Sequence, residues 1–296
     1  MLDVEVVRTL TLGSGHLSAA SGLVCVGQQM FVVADDEHQL GIFGATGAGS
    51  LHRLFDGELP MEPKARKVAK PDLEALVQLP PFEAFPHGAL LALGSGSRPQ
   101  RQRAALLAID AAGGLQGPAL EIDLSSFYEP LRARHAQLNI EGGFVSAGRL
   151  HLLQRGHAAE PANVVIGFDW PAVQSWLRGG EVPAPVSSAR VELGDIDGVP
   201  LCFTDGTALA AGGWVFCAAA EATDDNYADG PCRGSAVGVV AADGRLLALL
   251  PLSLRCKAEG IAASLDNGWL RLLMVTDPDD RNAPALLLSA SLALPA

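Results

Sequence analysis

The sequence is short of positive charge. Lys and Arg number 21 against 33 Asp and Glu, a formal net charge of −12, and the one dense basic stretch is KARKVAK at 64–70. A phosphate backbone needs a clustered positive footprint, so no nucleic-acid partner is expected. The basic run itself reads as a solvated loop, with Lys70 four residues before Glu74. No apolar stretch approaches the ~20 residues of a membrane-spanning helix, so no membrane partner is expected either. The first residues, MLDVEVVRTL, carry acids where a secretion signal carries Lys or Arg. The five cysteines (Cys25, Cys202, Cys217, Cys232, Cys256) are odd in number and form no CxxC pair. Reduced thiols and the missing signal point to a cytoplasmic protein. Phosphate-loop and nucleophile-elbow signatures are missing as well: Gly94-Ser95-Gly96-Ser97 is a glycine-rich turn with no helix after it.

What the chain has is a phrase repeated five times: a small or acidic residue, usually Gly or Ala next, then an apolar run that opens a strand. The copies are Ser21-Gly22-Leu23, Glu74-Ala75-Leu76, Glu141-Gly142-Gly143, Asp205-Gly206-Thr207 and Glu259-Gly260-Ile261. Spacing of this size marks a repeat architecture, whose units cannot bury their apolar faces alone. A second and a third apolar strand follow each copy, and in four units a fourth (50–55, 120–124, 189–193 and 245–250). The fifth unit runs out of chain. VEVVRTLTL at 4–12 is strand-like with no unit of its own, so it supplies the missing strand. The expected fold is all-β: a five-bladed β-propeller of four-stranded blades, residues 1–296 as one domain, closed by the N-terminal strand. Few strands alternate cleanly, as sheets covered on both faces require. Two insertions, 125–137 and 170–180, have helical spacing, with Ser125 or Ser126 as a possible N-cap and Gly179-Gly180 as a stop.

In a propeller the first strand of each blade lines the channel and pairs antiparallel with the second. First-strand starts and second-strand ends therefore share one face. The expected inner ring is Ser21, Glu74, Glu141, Asp205 and Glu259, surrounded by Asp35 and Asp36, Ser95 and Arg98, Arg155 and His157, Glu221 and Asp224, and Asp277. Clustered carboxylates raise one another's pKa, and burial adds to this. Either a divalent cation relieves the repulsion, Ca²⁺ first and Mg²⁺ second because all donors are oxygens, or Arg98, Arg155, Lys70 and Lys257 and backbone amides of the neighbouring blade do so. His157 is the histidine placed for acid or base work at such a mouth.

The phrases KPDLEALV, LLALGSGSRPQRQRAAL, NIEGGF, LHLLQRG and KAEGIA resemble bacterial β-propeller proteins related to the "esterase-like activity of phytase" group, over most of residues 20–290. The ring is also similar in arrangement to the calcium-activated nucleotidases (apyrases), five-bladed propellers with a central Ca²⁺. That resemblance implies Ser21, Glu74, Glu141 and Glu259 as Ca²⁺ ligands, with Asp205 a departure from a less acidic position. Three functions follow as expectations. The first is a Ca²⁺-dependent hydrolase of a phosphate ester or anhydride, with Arg98 and Arg155 holding a small anionic molecule and Glu141 and His157 at the chemistry. The second is a metal-dependent lactonase or esterase, and the third a non-catalytic scaffold. Oligomeric state is not legible from the sequence.

Overall fold

Apolar runs bounded by Gly, Asn and Asp turns give short strands, each antiparallel to the next. The computed structural model describes residues 1–157, 159–160, 162–223 and 230–293. After β1 (Glu5–Thr9), blade I is built from β2 (Ala20–Val26), β3 (Gln29–Ala34), β4 (Gln39–Phe43) and β5 (Ser50–Arg53). Helix α1 (Pro63–Ala69) leads to blade II, made of β6 (Leu73–Leu79), β7 (Ala89–Gly94), β8 (Arg103–Ile109) and β9 (Leu115–Asp123). Helix α2 (Ser125–Arg132) precedes blade III, made of β10 (Ile140–Ser146), β11 (Arg149–Gln154), β12 (Asn163–Asp169) and β13 (Pro185–Val191), with α3 (Trp170–Trp176) between its last two strands. In blade IV a two-residue strand β14 (Asp195–Ile196) is added beside β15 (Val199–Ala208), β16 (Trp214–Glu221), β17 (Cys232–Val240) and β18 (Leu246–Pro251). Blade V is β19 (Ala258–Asp266), β20 (Trp269–Thr276) and β21 (Leu286–Ala293), completed by β1.

The fold is therefore the five-bladed propeller expected. Strand β1 pairs antiparallel with β21, Glu5 opposite Ser289 and Thr9 opposite Leu286, so the two ends of the chain meet in blade V, with β1 as its outermost strand. Each of the five apolar clusters lies between two neighbouring blades. Phe31 and Val33 of blade I meet Leu76 and Leu90 of blade II, and Phe144 and Leu153 of blade III meet Phe203 and Phe216 of blade IV. Every sheet is thus covered on both faces, which is why its strands lack polar alternation. Helices α2 and α3 close the seam between blades II and III, where Phe127 stacks on Phe168 and Trp176 at centroid distances of 4.9 and 4.6 Å.

Two local expectations are corrected. The basic run is helix α1, not a solvated loop. The Glu62 carboxylate caps it by accepting the amides of Lys64 and Ala65 (3.1 and 2.6 Å), and Arg66 is buried against Asp36 (3.1 Å) and Glu37 (2.6 Å). At α2 the start is fixed by Asp123, whose Oδ1 accepts the Ser125 amide at 2.8 Å, and Ser125 is the first helical residue. Among the described residues no helix is long and apolar enough to cross a membrane.

Candidate functional site at the channel mouth

Every innermost strand slips register by one residue near its start. The extra residue is Ser21 in β2, Glu74 in β6, Glu141 in β10, Thr204 in β15 and Glu259 in β19. A bulge bends the strand and re-aims the unpaired residue. Ser21, Glu74, Glu141 and Glu259 accordingly face one cavity on the axis. The two hydroxyl members do the same work. Ser21 Oγ donates to the Leu73 carbonyl, and Thr204 Oγ1 donates to the Ala258 carbonyl at 2.7 Å, in each case the residue just before the next blade's ring carboxylate. The ring position in blade IV is therefore Thr204. Asp205, expected there, lies one residue further on, a slip that matters because side chains alternate along a strand.

The position after each bulge forms the neck of the channel. A Cβ on Gly260 would lie 2.9 Å from the Gly22 backbone, and one on Gly142 would lie 2.8 Å from Asp205 Cα. Asp205 is the one large residue at this level, and it does not line the cavity. Its Oδ2 accepts the Ile261 amide at 2.9 Å, while among the described residues Oδ1 has no hydrogen-bond partner, and burial pushes its pKa well above the usual range. Asp205 thus ties blade IV to blade V across the neck. Replacing Asp205 by Ala should lower stability by about 1–3 kcal/mol, because a buried donor is left without its acceptor. An unchanged urea midpoint would remove this role.

The cavity has a volume of about 60 Å³. Water occupies about 30 Å³ per molecule in the liquid, so there is room for an ion with a water or two. Around it the second-strand ends Asp35, Arg155, His157, Glu221 and Asp277 stand as expected. Asp224 lies outside the described residues. Arg98 is exposed and outside the cavity wall; Arg101, three residues on, points in and holds Asp72 at 2.8 Å. Ser95 is buried and donates to Asp72 Oδ2 at 2.6 Å. Asp72 and Asn139, outside the repeated phrase, also line the cavity. Both stand two residues before a ring glutamate, as Lys257 does, and that recurring polar-x-Glu spacing was the available signal.

Most of these carboxylates already have a cation. Arg155 bridges Glu141 (3.1 Å) and Glu221 (2.7 Å). Asn139 Nδ2 donates to the other Glu141 oxygen at 2.5 Å. Lys257 faces Glu259 (3.4 Å), Asp277 (3.7 Å), Glu221 (3.8 Å) and Asp279 (3.1 Å). Lys70 bonds Asp35 and lies 2.9 Å from Asp72. Asp35, Asp72 and Glu74 bring carboxylate oxygens within 4.8 Å of one another, with the Lys70 ammonium on two of the three. Glu74 has no ion pair among the described residues, and neither Glu259 oxygen receives a hydrogen bond. Burial, with Glu141, Asp72 and Asp35 nearby, pushes Glu74 well above its ordinary pKa. Burial likewise raises Glu259 to about 8 and Asp277 to about 7, although Lys257 opposes both shifts. Against the pull of burial, the surrounding carboxylates keep Lys70, Lys257 and Arg155 charged.

Residues 16–292 match DUF6929, a family of unknown function. The chain belongs to that family. No curated protein is significantly similar. Among solved structures, the glutaminyl cyclase of Myxococcus xanthus is similar at 12% identity over 99% of this chain and 97% of that one, with a TM-score of 0.52. The catalytic domain of a GH62 α-L-arabinofuranosidase from Coprinopsis cinerea is similar at 11% identity over 100% and 99%, with a TM-score of 0.50. At such identities the likeness is one of fold, and neither the phytase-related nor the apyrase resemblance is among these relationships. For this family member, the chemistry has to be argued from the mouth itself.

Proposed function

We propose that the channel mouth binds one divalent cation, Ca²⁺ first and Mg²⁺ second, and that the protein is a hydrolase of a phosphate ester or anhydride at that mouth. One observation carries the reading. Among the described residues, seven carboxylates line the cavity (Asp35, Asp72, Glu74, Glu141, Glu221, Glu259, Asp277) against five cations (Lys67, Lys70, Arg101, Arg155, Lys257), a formal surplus of two negative charges around a space for an ion and a water or two. The donors are hard oxygens that suit Ca²⁺ or Mg²⁺. Glu74, without a cation, and Glu259, without a hydrogen bond, would hold the ion with the Ser21 hydroxyl oxygen. A bound cation supplies Lewis acidity toward a phosphoryl oxygen. Glu141, held by Arg155 and Asn139, would orient a water, and His157 in the cavity wall would take or give a proton.

Calcium should therefore raise the melting temperature of chelator-treated protein. A hundredfold excess over Kd adds about 2.7 kcal/mol, which for a domain of this size is about 4 °C, and Glu74→Gln should abolish the rise. Phosphate esters, nucleotides and lactones assayed with Ca²⁺ test the activity. The second reading is a non-catalytic scaffold. It is favoured by the ion pairs of Arg155, Lys257 and Lys70, which already neutralise most of the ring. No shift with either cation, together with no turnover, selects it.

A further inference from the structure

A second cavity, of about 70 Å³, opens beside the central one between the loop after α2 and the outer part of blade III. Arg155, Gly156 and His157 belong to the walls of both cavities. The charge is opposite. Arg134 and Arg190 join Arg155 around it, with His135 and His157 beside them, against one carboxylate among the described residues, that of Glu160. Neither Arg134 nor Arg190 enters an ion pair among the described residues. His157, shared by both walls, is only 8% exposed, and among the described residues neither of its ring nitrogens has a hydrogen-bond partner. Its backbone is held by reciprocal 3.0 Å bonds with Glu160. Buried polar groups are nearly always hydrogen-bonded, so an orphaned imidazole shared by two cavity walls marks a place for a group from outside the chain.

We propose that this basic cavity is a subsite for an oxyanion group, carboxylate or phosphate, of a small molecule whose remainder reaches past His157 into the acidic cavity. The inference rests on the reading of the mouth as a site only in that last clause. Two guanidinium forks without acidic partners match the geometry of a planar or tetrahedral oxyanion, and the imidazole supplies a further donor. The volume fits one such group. On a chain of net charge −12, a local excess of cations is also where an anion is drawn.

Calorimetric titration of inorganic phosphate and of malonate into chelator-treated protein tests the proposal. One anion per chain should bind, and Arg134→Ala and Arg190→Ala should each weaken binding at least tenfold. Both residues are exposed, so these variants keep the fold. Arg190→Lys should fall in between, and Arg245→Ala, in the turn from β17 to β18 at the other end of blade IV, should bind as the parent does. Anion saturation should also shift the His157 imidazole resonances. A preference for phosphate or malonate assigns the group, and either supports the subsite. Absence of binding by both anions, or parent-like binding by Arg190→Ala, overturns it. Because no divalent cation is present, a failed calcium experiment leaves this result standing, and the converse also holds.

Discussion

Replacing Arg155 by Ala should lower the folding free energy by about 3–5 kcal/mol, the range found when one partner of a buried ion pair is removed. The Arg155 side chain is 10% exposed, and the carboxylates it bridges, Glu141 and Glu221, are 4% and 5% exposed. Without it, both must be protonated or left charged out of water. Arg155→Lys should recover part of the loss, since an ammonium carries the charge but cannot span two carboxylates as a planar fork does. Urea denaturation near neutral pH is the measurement. If Arg155→Ala instead keeps its midpoint and raises KM for an anionic substrate, the guanidinium serves the ligand and not the ring.

Metal-free protein should lose stability as the pH rises from about 4.5 to about 8. Glu259 moves from an ordinary 4.5 to about 8 and Asp277 from 3.8 to about 7, both through burial, and Glu74 is raised in the same sense. In that window the folded chain holds protons that the unfolded chain has released, so stability falls with rising pH. The contribution is complete below the ordinary carboxylate values and is gone once the pH passes the folded ones. Each tenfold difference in proton affinity is worth about 1.4 kcal/mol, and the loss should reach a few kcal/mol. Asp72 acts oppositely: Lys70 and Arg101 outweigh its burial and hold it below its usual value, so acid removes its contribution. A bound dication replaces the protons. The Ca²⁺-loaded protein should therefore show a flatter profile, and calcium titrated near pH 6.5 in buffers of different ionisation enthalpy should release protons. A stability that rises between pH 5 and 8 without metal, or binding without proton release, would contradict this account.

The two effects separate by site. Arg155 acts on Glu141 and Glu221, where a cation is built in, whereas the pH effect comes chiefly from Glu74, Glu259 and Asp277, where the compensation is incomplete. A protein stabilised by calcium but insensitive to Arg155→Ala would place the whole balance of charge at Glu74 and Glu259.

The repeat, the five blades and the closing strand were legible in the sequence, because each depends on local order: an apolar run, a turn, a count that falls one strand short, and an orphan run at 4–12 that restores it. So was the convergence of Ser21, Glu74, Glu141 and Glu259 on one mouth, which follows from antiparallel pairing alone. Register was not legible. Asp205 fitted the repeated phrase better than Thr204 did, and only the bulge in β15 shows that the hydroxyl holds the ring position while the carboxylate crosses the neck. Nor was the choice of Arg101 over Arg98, since a three-residue turn after the second strand decides which guanidinium points inward. The folding of the basic run onto Asp36 was hidden for a similar reason: nothing in residues 64–70 records that acids from blade I will face them. Local pattern sets which strands form and which ends share a face. Which charge meets which is settled only when blades distant in sequence close the ring and bury their polar ends together, because ion pairing depends on distances across the channel that no spacing along the chain encodes.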